Sequence, residues 1–172
     1  MSSNLFWYDI WNDGDDSFWT LTNDGVGAIT GSIEANSVIT RGGTDSLKFT
    51  IGAGSNLESF IGHDYGGDTQ DWTDYNIVNF MVYASDTGIA DHQIFIFDSA
   101  AAFSFMSLSS AFSGWSILSV PFNAMTVGGG ALDFSIIKTI RYDPAGGRGT
   151  GIWYLSRVWL SRYGYDVPRW ST

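Results

Sequence analysis

Three runs of β-branched and aromatic residues, divided by glycine clusters, fill the last third of the chain: Trp115–Phe122, Ile136–Tyr142 and Ile152–Leu160. Such residues pack well on a pleated surface and lose side-chain freedom in a helix. The spacers Gly128-Gly129-Gly130 and Gly146-Gly147-Arg148-Gly149 have no side chains to bury and read as loops. Strands punctuated this way have to bury one face against a second sheet, so these residues alone point away from a helical bundle.

The rest of the chain repeats the pattern. Ser46–Ile51 alternates cleanly, with Leu47, Phe49 and Ile51 facing in and Ser46, Lys48 and Thr50 facing out. Further strands are expected at Leu5–Trp11, Phe18–Thr22, Ala28–Glu34, Leu57–Ile61, Asn76–Ala84, Gln93–Asp98 and Phe103–Leu108, with turns at Asn12-Asp13-Gly14 and Asn23-Asp24-Gly25. Asn76–Ala84 and Gln93–Asp98 are apolar on both faces, as strands covered on both sides are. The sum is an all-β chain of about nine to eleven strands, a two-sheet antiparallel β-sandwich. One domain spans residues 1–160, and residues 161–172 form a basic, aromatic tail.

Charge and composition exclude several functions. The chain has 172 residues and a net charge of −10. Residues 1–140 hold 16 acids against 3 bases, whereas 141–172 hold 2 acids against 5 arginines. An acidic body repels nucleic acid and anionic membrane. The tail, with Arg162, Tyr163, Tyr165, Arg169 and Trp170, is suited to docking on an acidic surface, its own or a partner's. Without cysteine there is no disulfide framework and no thiolate metal site. The first residues lack the basic and apolar regions of a secretory signal, and no apolar run is long enough to span a bilayer.

Several motifs carry a family resemblance. They are Gly114-Trp115 leading to Val120-Pro121-Phe122; Leu132-Asp133 leading to Lys138-Thr-Ile-Arg-Tyr142; Gly42-Gly43 leading to Ser46-Leu47-Lys48; Trp72-Thr-Asp-Tyr75 leading to Phe80-Met-Val-Tyr83; and the acidic opening Asp9–Asp15. Taken in this order they resemble the jelly-roll carbohydrate-binding modules and galactose-binding-like domains. The resemblance implies a jelly roll, a glycan ligand and, in many members, a structural calcium ion. Asp9, Asp13 and Asp15 stand where that ion's oxygen ligands would come from. The family's last strand carries an Asp pair where this chain has Ser156 and Arg157, so an Arg157–Asp pair with the opening segment is the alternative way to tie the two together.

Sugar binding in such modules uses aromatic rings stacked on the pyranose C–H face, with polar groups on the hydroxyls. The expected ligand residues are Trp19, Tyr65, Trp72, Tyr75, Asp68 and Asp71, with Trp115, Asp64 and Arg148 as further possibilities. The stretch Gly62–Trp72 is the most compact of these groupings. No Gly-x-Ser-x-Gly elbow exists, and the two histidines, His63 and His92, each lie beside an Asp without a nucleophile motif. The expectation is a non-catalytic, carbohydrate-binding surface subunit, adhesive or decorative, of a larger assembly such as a virion, released by lysis, with a homo-oligomer among its expected partners. The alternatives are a structural subunit without ligand and a small glycan-active lyase or hydrolase.

Overall fold

The structure, a computed structural model, describes residues 7–11, 18–22, 29–35, 46–51, 60–85, 91–109, 112–143 and 151–162. Two six-stranded sheets face each other. The first contains β1 (Trp7–Trp11), β3 (Ile29–Ala35), β4 (Leu47–Ile51), β6 (Ile77–Ala84), β9 (Gly114–Pro121) and β12 (Gly151–Ser161). The second contains β2 (Thr20–Thr22), β5 (Phe60–Asp64), β7 (Asp91–Asp98), β8 (Phe103–Ser109), β10 (Thr126–Val127) and β11 (Ile137–Asp143). The first runs in the order β3-β4-β12-β6-β9 with β1 also on β12, and the second β10-β8-β7-β11-β5-β2. Every described pairing is antiparallel. This is the expected jelly-roll sandwich.

The three C-terminal runs do not sit side by side. β9 and β12 flank β6 in the first sheet, while β11 is central in the second. Two expected strands are displaced. The one read at Leu57–Ile61 lies at Phe60–Asp64, and Phe18 and Trp19 precede β2, with Trp19 buried in the core. The two-residue strand β10 has too little sequence to announce itself.

β12 is the spine of the first sheet. One edge pairs with β6 from Trp153 to Ser161; the other pairs with β4 through Leu155 and with β1 from Val158 onward. Midway the register against β6 slips between Leu155 and Arg157. An extra residue reverses which face the following side chains take. Trp153 and Leu155 enter the core before the slip, Val158 and Leu160 after it. Arg157, which unbroken alternation would send into the core, pairs across the sheet with Met81 on the outer face.

There Arg157 meets Asp9 of β1. Its Nε donates to Asp9 Oδ1 at 2.6 Å and its Nη2 to Oδ2 at 2.7 Å, and its side chain is only 8% exposed. A bidentate fork to carboxylate is the strongest form of this contact. Asp9 therefore serves a salt bridge between the opening strand and the last one; Asp13 and Asp15 lie outside the described residues. Arg157→Met leaves Asp9 partly buried without its cation and should lower unfolding free energy by about 3 kcal/mol. Asp9→Asn, which keeps a hydrogen-bond acceptor, should cost less, and a denaturant double-mutant cycle should show the two effects to be non-additive.

Candidate functional site

Only one face of the second sheet meets the core. On β7, His92, Ile94, Ile96 and Asp98 are buried, with the two isoleucines in the core cluster. On β8, Met106 and Leu108 pack against it. The alternate residues Phe95, Phe97, Phe103 and Phe105 therefore point away from the core, each partly exposed. This corrects the expectation that Gln93–Asp98 is covered on both sides: among the described residues, its outer phenylalanines are sheltered mainly by one another and by neighbouring strands.

Register aligns these side chains into rows across the sheet. Thr126, Phe105, Phe95, Arg141, Gly62 and Thr20 are successive cross-strand partners from β10 to β2. Phe103, Phe97, Thr139 and Asp64 form the next row. Ring centroids lie 5.6 Å apart for Phe95 and Phe105, and 5.3 Å for Phe97 and Phe103, all nearly parallel. The Arg141 guanidinium carbon sits 4.4 Å from the Phe97 ring centre and 4.2 Å from that of Phe60. Phe103, Phe97, Arg141 and Phe60 thus form one stacked column over four strands. Gly62, directly across from Arg141, leaves room for it; a Cβ there would crowd Phe60 at 3.1 Å and Arg141 at 3.3 Å.

The column is pinned at one end by the Gly128–Gly130 loop. A Cβ at Gly128 would fall 2.0 Å from the Phe103 ring, so only glycine lets the backbone lie so close. The β7–β8 hairpin is held from below by buried Asp98. Its Oδ1 accepts from the Ala100 and Ala102 amides and its Oδ2 from that of Asp133. Burial pushes the Arg141 pKa down, opposed by the charge of Asp64, and Arg141 Nε is buried without an acceptor.

The sequence-predicted ligand residues divide by location. Trp72 is 1% exposed and stacks on Phe122, which stacks on Phe134. Trp19 is 4% exposed, edge-on to Trp11 and Phe18. Both rings belong to the core and present no open face; a tryptophan at a strand edge reads the same in sequence whether it turns in or out. Tyr65 packs edge-on to Phe18 and His63, and Tyr75 packs against Tyr8. Burial pushes both phenols above their ordinary value, and the nearby Tyr8 adds to it. These tyrosines cluster around Tyr8, and the Tyr75 amide donates to the Trp72 carbonyl at 3.0 Å.

Asp68 and Asp71 are exposed in the connection that follows β5. Asp71 accepts from the Thr73 amide and hydroxyl, which hold its carboxyl below the usual range, and Asp64 accepts from the Gly66 amide. Trp115 lies on the outer face of the first sheet, edge-on to Tyr83. Arg162 is exposed; Arg148, Tyr163, Tyr165, Arg169 and Trp170 lie outside the described residues. What sequence reasoning missed is the column itself. Its signal was present: a Phe-x-Phe on each of two adjacent strands, more apolar surface than one core face uses.

No protein-family model matches the sequence, and no curated protein does. Solved structures do. The CtCBM11 module in solution superposes with a TM-score of 0.69 at 14% identity, over 96% of this chain and 100% of that one. The family 30 carbohydrate-binding module of the Clostridium thermocellum cellulase Cel9D-Cel44B gives 0.63 at 12% identity, over 94% and 100%. The family 11 module from Clostridium thermocellum, in complex with a β-1,3-1,4-mixed-linked tetrasaccharide, gives 0.62 at 15%, over 84% and 89%. The chain has the jelly-roll fold of the carbohydrate-binding modules. That fold brings this protein's open aromatic face and its buried tryptophans into one frame.

Two predictions follow from these placements. Trp72→Ala should destabilise the domain by about 3–5 kcal/mol, as loss of a fully buried Trp does, and the effect should appear in thermal unfolding. His63 stacks on Phe18 and its Nδ1 donates to the Phe18 carbonyl. Burial lowers its pKa, against the raising influence of that hydrogen bond and of Asp64. The unfolded chain then binds the proton more readily, so His63 takes stability away as pH falls through about 6.5. His63→Phe removes that titration, and the Tm gap between wild type and variant should narrow from pH 8 to pH 5.5.

Proposed function

We propose that this protein binds a glycan chain on the outer face of its second sheet and does not cleave it. The carrying observation is the Phe103–Phe97–Arg141–Phe60 column, an aromatic surface with a set of N–H donors inside it, on the sheet face that the core leaves open. Sugars offer apolar C–H faces and ring hydroxyls, and this surface offers contacts to both. Thr20, Thr139, Asp64 and Gln93 border it with hydrogen-bonding groups; Gln93 Nε2 already donates to Ser107 Oγ. The likeness to carbohydrate-binding modules, one of them with a bound tetrasaccharide, supports the reading. The wider role as a surface subunit of a particle rests on the basic tail of the sequence, and Asp9, one of the three acids expected to hold calcium, has both oxygens on Arg157 instead.

A glycan array on wild type and variants tests it, with product analysis of each bound oligosaccharide. Phe97→Ala and Arg141→Ala should each weaken a hit by about tenfold or more, a loss expected from removing one central ring or fork donor. Tyr65→Ala and Tyr75→Ala should leave it within about twofold. The reverse order would place the site at the tyrosine cluster, and release of shorter products would make the protein an enzyme. A hit that disappears with chelator would require the ion.

A further inference from the structure

The two arginines whose surroundings are described in detail are treated in opposite ways. Arg157 has its fork filled by Asp9. Arg141 has its guanidinium carbon 4.4 Å from the Phe97 ring centre and 4.2 Å from that of Phe60, while Nε is buried without an acceptor and no carboxylate among the described residues hydrogen-bonds the guanidinium. Asp64, the acid whose charge reaches it, is exposed and has one oxygen on the Gly66 amide. Asp143, two residues along β11, is buried, and Asp98 on β7 is occupied by backbone amides. A partly buried cation without a contact anion among the described residues is an unfavourable state that an incoming acceptor relieves. The planar fork matches a carboxylate or sulfate better than it matches a single hydroxyl.

We infer that Arg141 recognises an isolated acidic unit, a uronate carboxylate or a sulfate ester, within an otherwise neutral glycan. This rests on the glycan-binding reading of the same face and names its substrate class. The apolar column on either side calls for sugar faces rather than more charge. The net charge of −10 opposes a dense polyanion at long range, whereas one acidic group in contact with Arg141 gains its full short-range attraction. The recognised chain is therefore sparsely charged.

The experiment is calorimetric titration with matched pairs: xylo-oligosaccharides with and without a single glucuronate branch, agaro-oligosaccharides with and without a single sulfate, and polygalacturonate as the dense polyanion. Wild type should prefer an acid-bearing member by about tenfold over its neutral partner, the difference between a charge-assisted and a neutral hydrogen bond. Whichever pair shows the preference identifies carboxylate or sulfate. Arg141→Gln should bind both members equally, and Arg141→Lys, which keeps the charge without the fork, should retain part of the preference; thermal unfolding confirms that each variant is folded. Equal wild-type binding to both members, or tightest binding to polygalacturonate, would overturn the acidic-unit inference and leave glycan binding standing. A preference unchanged in Arg141→Gln would overturn the role of Arg141. Binding to no glycan, here and on the array, would overturn both readings.

Discussion

The salt bridge between Asp9 and Arg157 ties the opening strand to the last one and thereby completes the sheet on which the sandwich is built. β1 is short and occupies only the far half of an edge that it shares with β4. Short strands bury little on their own, so a bidentate, largely buried contact at the junction sets their position more firmly than backbone pairing can. It depends in turn on the register slip at Ser156. That slip lets β12 place Leu155 and Val158 in the core while turning the intervening arginine out to β1.

The same element choice governs the outer face of the second sheet. A sheet in a two-layer sandwich has one face for the core, and its other face is free to carry chemistry. β7 meets the core through Ile94 and Ile96 and presents Phe95 and Phe97 outward. β11 meets it through Ile137, Ile140 and Tyr142 and presents Arg141. Because alternate residues on adjacent strands share a face, four strands supply one continuous stacked column, and the Gly128–Gly130 loop closes over its Phe103 end. Rigid strands hold such groups in place more tightly than loops can.

Most of the architecture could be read from the residues. Alternation in Leu47-Lys-Phe-Thr places Leu47 and Phe49 inside, and the three β-branched and aromatic runs locate the ends of β9, β11 and β12 within a residue. The site was less legible, for a physical reason. Period-two alternation says which residues share a face, but not what covers that face. β6 and β7 are both apolar on two sides; on β6 the outer Asn79 and Met81 are buried, at 2% exposure each, while on β7 the outer rings remain partly exposed. Tryptophan hid the distinction from the other direction. Its size makes it the natural candidate for a sugar platform, yet Trp19 and Trp72 fill the core, and the rings left partly exposed on the outer face of β7 and β8 are phenylalanines.

Phenylalanine there is informative. A tyrosine or tryptophan platform brings its own polar handle, whereas Phe95, Phe97, Phe103 and Phe105 bring none. Among the described residues, the polar contacts of that face come from its borders and from the one charged group within the column. Arg141 is that group, and its neighbours decide how it acts: the Phe60 and Phe97 rings lie 4.2 and 4.4 Å from its guanidinium carbon and none of its N–H groups meets a carboxylate among the described residues. Arg157 shows what such an edge does when a carboxylate is supplied from within the chain. On the outer face of the second sheet no carboxylate of the described chain takes that place, and this is what motivates the proposal of an acidic ligand group.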